Sequence, residues 1–304
     1  MRAGKLAFAT IVRPEWASEK NVGLLVASIR AFAGSLSGYP IWCFVLGERE
    51  KLSQSLRTRF SDLGVELISL TADSDFMRFF FGGEATAAAL AETIAAGRYD
   101  LLAWLAPNTV VVQQPSGFVL PKEKLLGYRP VHHMLIGSRF EEPLDSFWSL
   151  VYQFCEVPEN RIFPMTPHIE TTKLRPYFNS GILVTRPTRH LLRAWRDTFA
   201  QAYHDSGFQE LLKQDARFPI FLHQAVLSGV ILSRLRREDL LELPPSYNYP
   251  IHLYDEDRTG GRPRSVEELV TFRHESFHEQ PDWAEKMPAK EPLKQWIREN
   301  LLPE

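Results

Sequence analysis

Pro176-Tyr177-Phe178-Asn179-Ser180-Gly181-Ile182-Leu183-Val184 is the stretch on which the reading of the fold turns. A proline and an aromatic pair lead into three small residues, and an unbroken apolar run follows. The pattern predicts a turn that enters a buried strand over Phe178–Val184, with hydrogen-bonding side chains gathered at the strand's start. Asn179 and Ser180 each donate and accept hydrogen bonds. Gly181 lets a ligand or another chain approach the backbone closely. The same three residues also suit a simple capped turn, with Asn179 as the cap.

Upstream of this stretch the chain alternates short apolar runs with helical patterns. Leu6–Val12, Ile41–Leu46, Val65–Leu70, Leu101–Leu105 and Thr109–Val112 read as strands. Val22, Leu25, Val26, Ile29 and Phe32 recur at helical spacing and end at Gly34; Leu52–Leu63 ends at Gly64, and the Ala-rich Glu84–Ala96 at Gly97. Strands spaced by helices imply right-handed crossovers and a parallel sheet. Continuous apolar strands imply a sheet covered on both faces. Ligands of such sheets sit beyond the carboxyl ends of the strands, here near Val12-Arg13, Leu46-Gly47, Leu70-Thr71 and Leu105–Asn108.

The second half is less regular. Tyr128–Gly137 reads as a strand, and Leu144–Phe154, His190–Tyr203 and Phe221–Leu232 as helices. Pro158–Pro176 is a long proline-bearing loop, a candidate mobile or binding segment. Leu241–His252 is turn-rich, Arg258–Arg264 is a Gly/Pro/Arg loop, Val270–His274 is a last strand, and Trp283–Leu302 is a helical tail broken at Pro288 and Pro292. Without internal repeats or a low-complexity linker, the expectation is one α/β domain over residues 1–304 with an elaborated second half.

Composition narrows the class. Of 304 residues 44% are apolar, enough for a sizeable core, and the formal net charge is -2. That charge excludes the basic excess of a nucleic-acid binder. The local clusters Arg234, Arg236, Arg237 and Arg258, Arg262, Arg264 read as solvated surface. Two distant cysteines, Cys43 and Cys155, form no disulfide framework and fit a reduced, cytoplasmic setting. The apolar run at Leu6–Val12 is too short to span a membrane, and Arg13-Pro14-Glu15 follows it without a cleavage site. Neither GxGxxG, nor a P-loop, GxSxG or HExxH occurs.

Tyr177–Val184 resembles the YFNSGVLV signature of the glycogenin-like and lipopolysaccharide-galactosyltransferase-like glycosyltransferases, which have the GT-A fold. Further segments resemble that family in its order. Tyr99–Val112 is similar to the strand that carries the DxD metal motif, and Phe221–Leu227 to the start of the DQ helix. Leu243–Tyr249 resembles the LPxxYN turn, and Val270–His274 the strand that ends in a metal-binding histidine. The resemblance implies a nucleotide-binding half over residues 1–115 and an acceptor-side half over 116–304. It implies a nucleotide-sugar donor and a carbohydrate or lipid-linked glycan acceptor. It places Thr10, Val12, Arg13, Trp104, Ala106, Asn108, Gly181, His223 and Gln224 at the donor, and Asn179, Ser180 and His274 at the chemistry.

The departures are specific. By the resemblance the two DxD carboxylates fall on Ala106 and Asn108, and the acid of the DQ pair on His223. A divalent hard cation wants anionic oxygens, and a lone His274 is a poor substitute. The expectation is therefore no family-type Mn²⁺ or Mg²⁺ site. A metal-free transferase must neutralise the leaving diphosphate otherwise, and His274, Arg273, Lys173, Arg175, Arg139 and His223 are candidates. Asp145, Glu141, Glu142 and Asp215 are candidate bases should the reaction invert. The aromatic run Phe79–Phe81 would stack on a base or belong to the core. His132-His133 is a weak metal candidate, since neighbours on a strand face opposite ways. A His274/His278 pair would suit zinc only on a helix. Two other functions compete: an inactive GT-A-fold binding module, and a nucleotidyltransferase, for which Arg13–Trp16 supplies no Gly-rich basic loop.

Overall fold

The computed structural model describes residues 5–71 and 74–302. In chain order the strands and helices are β1 (Leu6–Val12), α1 (Trp16–Phe32), β2 (Ile41–Leu46), α2 (Gln54–Asp62), β3 (Val65–Leu70), α3 (Asp75–Arg78) and α4 (Gly82–Ala95). Then come β4 (Leu101–Leu105), β5 (Thr109–Val111), β6 (Leu126–Pro130), α5 (Ser146–Phe154) and β7 (Phe178–Thr185). The rest is α6 (Leu191–His204), α7 (Ser206–Leu211), α8 (Arg217–Arg234), β8 (Leu240–Glu242), β9 (Tyr249–Pro250), β10 (Thr271–Arg273), α9 (Trp283–Lys286) and α10 (Glu291–Asn300).

Seven strands form the central sheet in the order β3-β2-β1-β4-β7-β6-β8. Every neighbouring pair is parallel except the two that β7 makes, with β4 and with β6. The sheet is therefore mostly parallel, with one reversed strand near its middle. A second sheet, β5-β10-β9, sits beside it.

Alternate residues of each strand feed two cores. Ala7, Ala9 and Ile11 of β1, with Trp42 and Phe44 of β2, pack among the apolar residues of α4, α6 and α8. Leu6, Phe8 and Val12, with Ile41, Cys43 and Val45, face α1 and α2. Burial on both sides is why β1, β2 and β4 read as unbroken apolar runs. A third cluster joins the small sheet to α9 and α10 through Phe272, Trp283 and Ile297. The N-terminus of α6 is held by a buried acid: Glu92 on α4 accepts from Leu192 N and Arg193 N at 3.1 and 2.9 Å, a carboxylate set where the helix dipole favours it.

The structure departs from the sequence reading in several places. α1 begins at Trp16, ahead of its first periodic apolar residue, because its opening turn is solvent-facing. β6 stops at Pro130, where the ladder with β7 is irregular, rather than running to Gly137. The segment Pro158–Pro176 is clipped by a Met165–Leu174 pair, each donating to the other at 2.8 Å, and is a folded loop. Both cysteines are free and buried. No helix among the described residues is long and apolar enough to cross a membrane.

Candidate active site

The reversed direction of β7 builds the site. Because β7 runs against β4, its first residues meet the last residues of β4: Leu105 pairs with Ile182, and Ala106 N donates to Gly181 O at 2.9 Å. The small polar stretch Asn179–Gly181 thus lies at the carboxyl edge of the parallel strands, where topology places ligands. Past Leu105 the chain turns through Ala106–Asn108 and leaves into β5, which pairs with β10 so that Arg273 stands opposite Thr109. His274 N donates to Asn108 O at 3.1 Å, and Asn108 Nδ2 donates to His274 O at 2.6 Å. Three segments read separately in the sequence therefore converge.

A cavity of about 340 Å³ opens where they meet. Trp104, Ala106, Asn108, Ser180, Gly181 and Arg273 line it, with Ser18 and Asn21 of α1, Phe81 and Glu84 at the start of α4, and Glu275. Larger, shallower grooves of 770 and 760 Å³ lie elsewhere, along α1, α2 and α10 and beside Pro158–Pro164, away from the strand ends.

The remaining candidate residues stand behind this wall or apart from it. Thr10 and Val12 are buried inside β1, at 2% and 0% exposure. Arg13 is drawn into an ion pair with Glu84 at 3.1 Å. Asn179 turns back on its own strand, its Oδ1 accepting from Gly181 N at 2.8 Å. Gln224 Oε1 accepts from Ser180 N at 3.0 Å. His223 lies beneath Ser180. Its Nδ1 reaches Ile220 O at 2.8 Å, which makes that nitrogen the donor and Nε2 the acceptor. Ser180 Oγ therefore donates to Nε2, at 3.0 Å. Phe81, in a left-handed backbone conformation (φ 63°), lines the cleft and stacks on the His223 ring at 3.9 Å, while Phe79 packs against Phe199 and Tyr203 and Phe80 is exposed.

His274 is displaced from its expected place. Its backbone holds the Ala106–Asn108 turn, but its ring is fully buried against Phe277, lines the neighbouring cavity, and leaves both nitrogens without partners. Lys173 is exposed, Arg175 binds Ser138 and the carbonyls of Arg139 and Glu142, and Arg139 pairs with Glu142. The candidate bases are committed elsewhere or exposed. Asp145 caps α5 through Trp148 N, Asp215 pairs with Arg217, and Glu141 is exposed. The carboxylates at the cleft are Glu84 and Glu275, which sequence reasoning passed over: each is a single acid beside a glycine or histidine, without a pattern around it.

Arg273 is the unusual member. Among the described residues its guanidinium makes no hydrogen bond or ion pair, and its Nε is buried without a partner. Burial pushes its pKa down to about 10, so it stays charged at neutral pH. The imidazoles around it are held neutral: burial pushes His223 down to about 3 and His252 to about 4, and lowers His132 and His274 well below their ordinary value, with the charge of Arg273 adding to each. No three His, Cys, Asp or Glu side chains come together as a metal cage among the described residues. His132 meets Asn248, His168 and His252 instead.

A mostly parallel sheet with one reversed strand, and a cleft at its carboxyl edge bounded by the β4 turn, defines a GT-A-type fold. It is shared, at 13% identity and a TM-score of 0.52, with the galactosyltransferase LgtC solved with donor and acceptor sugar analogues; the match covers 98% of this chain and 97% of that one. The bifunctional glycosyltransferase WbbM, in its apo form, matches 99% of this chain at 15% identity and a TM-score of 0.52, and the chain spans about half its length, 52%. Residues 10–234 match the family model of the Rhodobacterales glycosyltransferase domain, and the chain belongs to that family. No curated protein sequence matches it.

Proposed function

We propose that the protein transfers a sugar from a nucleotide-sugar donor, bound in the cleft at the carboxyl edge of β4, to an acceptor hydroxyl on a carbohydrate or lipid-linked glycan, without the divalent metal of metal-dependent relatives. The observation that carries this is the convergence of the Ala106–Asn108 turn, Ser180-Gly181 and Arg273 on one cavity. Family and fold support sugar transfer as the class of reaction. That LgtC was solved with both donor and acceptor sugar analogues supports a two-substrate cleft.

The residues at the family's metal-ligand positions do not fit a Mn²⁺ or Mg²⁺ ion, and of the two acids at the cleft Glu84 is paired with Arg13 and Glu275 lies on the exposed rim. Ala106 offers no ligand, Asn108 is uncharged and tied to the His274 carbonyl, and the His274 ring belongs to another cavity. A dication there would also face the unpaired positive charge of Arg273. On this reading, residues 1–115 and 116–304 remain halves of one unit, with donor contacts from both, and the setting is cytoplasmic.

The test is a donor screen. Purified protein is incubated with UDP- and GDP-sugars, with Mn²⁺ or with EDTA, and released nucleoside diphosphate is measured with and without a saccharide panel. Release from one donor in EDTA supports the reading. An absence of both nucleotide binding and turnover across the panel counts for the inactive binding module instead.

A further inference from the structure

We propose that the Arg273 guanidinium is the built-in counter-charge for the donor's diphosphate, performing the task that a divalent cation performs in metal-dependent transfer. This rests on the reading of the cleft as the donor site and deepens it.

Four observations lead here. First, an unpaired buried charge is costly and persists where something requires it. Arg273 is half-buried, its Nε is buried without a partner, and its guanidinium makes no hydrogen bond or ion pair among the described residues, although carboxylates stand nearby. Glu84 is committed to Arg13, and Glu275 is on the rim with its side chain 69% exposed. Second, the chain makes room for it. A Cβ on Gly181 would fall inside the guanidinium, at 2.9 Å from Cζ, so only glycine at this strand position lets the arginine lie across the backbone into the cavity. The sequence suggested that Gly181 admits a ligand; the group it admits is Arg273. Third, the surroundings leave the charge without a close counter-ion: the acid that bears on it, Glu275, stands on the exposed rim beyond ion-pair distance. Acids at 106 and 108 would pair with it, and the chain has alanine and asparagine there. Its imidazole neighbours are neutral at neutral pH. Fourth, guanidinium matches a phosphate with two parallel hydrogen bonds, and such charge-assisted bonds are strong where water is excluded.

In the transfer, the bond between the anomeric carbon and the diphosphate oxygen breaks, and its electron pair stays on that oxygen. The acceptor oxygen bonds to the anomeric carbon and its proton passes to solvent. Negative charge thus grows on the diphosphate as the bond breaks, and a fixed cation in place beforehand stabilises that charge without rearrangement.

The test is calorimetric titration of inorganic pyrophosphate, UDP and GDP into the full chain in EDTA and again in Mn²⁺, for the wild type and for R273Q, R273K and G181A, each checked by circular dichroism. The wild type is expected to bind pyrophosphate and one of the nucleotides in EDTA. R273Q should weaken that binding about 10- to 100-fold, the loss of a charged hydrogen-bonded partner, and R273K should restore part of it. G181A keeps the arginine but displaces it and should weaken binding in the same direction; it carries the test should R273Q fail to fold. Nucleotide bound only with Mn²⁺, or equally by folded R273Q and wild type, overturns the proposal while leaving the donor reading standing. Absence of nucleotide binding in both conditions removes the two together.

Discussion

Acidification should unfold this protein at an unusually high pH, and the cause is its buried histidines, of which the three least exposed give the minimum effect. His168, His223 and His274 are 6%, 2% and 0% exposed. Burial lowers His168 and His223 to a pKa of about 3 and His274 well below its ordinary value. Below pH 6.5 the unfolded chain takes up a proton on each, while the folded chain does not. The unfolded state then binds more protons, so stability is fully present above pH 6.5 and is lost as pH falls. At pH 5.5 each histidine costs about 1.4 kcal/mol, roughly 4 kcal/mol together, and each further unit costs about as much again. Glu92 works in the opposite sense. Its carboxyl is raised by burial, so the folded chain holds that proton longer and offsets up to one of the three. At least two to three net protons should therefore be taken up on unfolding between pH 6.5 and 5, and His132, His252 and His278, lowered as well, add to that number. Since a domain holds only about 5–15 kcal/mol in all, the acid midpoint should fall near pH 5. Urea titrations followed by tryptophan fluorescence at half-unit pH steps give the slope directly. A stability flat to within 1 kcal/mol from pH 6.5 to 5.5 would refute the claim that these rings are buried neutral.

Glu92→Ala removes the acceptor for two N–H groups at the start of α6, one buried and one partly buried, and should cost about 3 kcal/mol in urea melts. Ser180→Ala leaves His223 Nε2 without a donor, which should cost roughly 1–2 kcal/mol; an unchanged midpoint would mean the Ser180–His223 bond is not maintained in solution. Gly82→Ala drives a Cβ into the Phe76 carbonyl and should lower stability by about 1–3 kcal/mol through displacement of the α3–α4 turn. Sugar transfer should keep its rate in EDTA, because Ala106 and Asn108 give a hard cation no anionic ligand; a tenfold or larger loss restored by Mn²⁺ would contradict that.

The first half of the fold was legible because β1, β2 and β4 are buried on both faces. Leu6–Val12, Ile41–Leu46, Val65–Leu70 and Leu101–Leu105 appear with the expected bounds, three of them as continuous apolar runs and the edge strand Val65–Leu70 as an interrupted, partly exposed one. β8 was hidden, since Leu240–Glu242 is three residues long inside a turn-rich stretch. The short α7, Ser206–Leu211, has too few turns to show a period. The direction of β7 was also hidden, because an apolar run reads the same whichever way the strand points. That direction decides the site, since it brings Gly181 to the end of β4. The Ala106–Asn108 turn and Ser180-Gly181 could be named as neighbours from their family resemblance. The orientation of His274 could not, because a backbone pair with Asn108 leaves the ring free to face either cavity. Arg273 stood only as one of several candidate cations. What singles it out is the missing side chain at Gly181, a partner distant in sequence.

The central claim is tested most directly by a crystal structure of the protein with a bound nucleoside diphosphate, grown without divalent metal. The account places the diphosphate in the cleft beside the Ala106–Asn108 turn, with oxygens within hydrogen-bond distance of the Arg273 guanidinium. A nucleotide seated in another groove, or one whose phosphates turn away from Arg273, would contradict it.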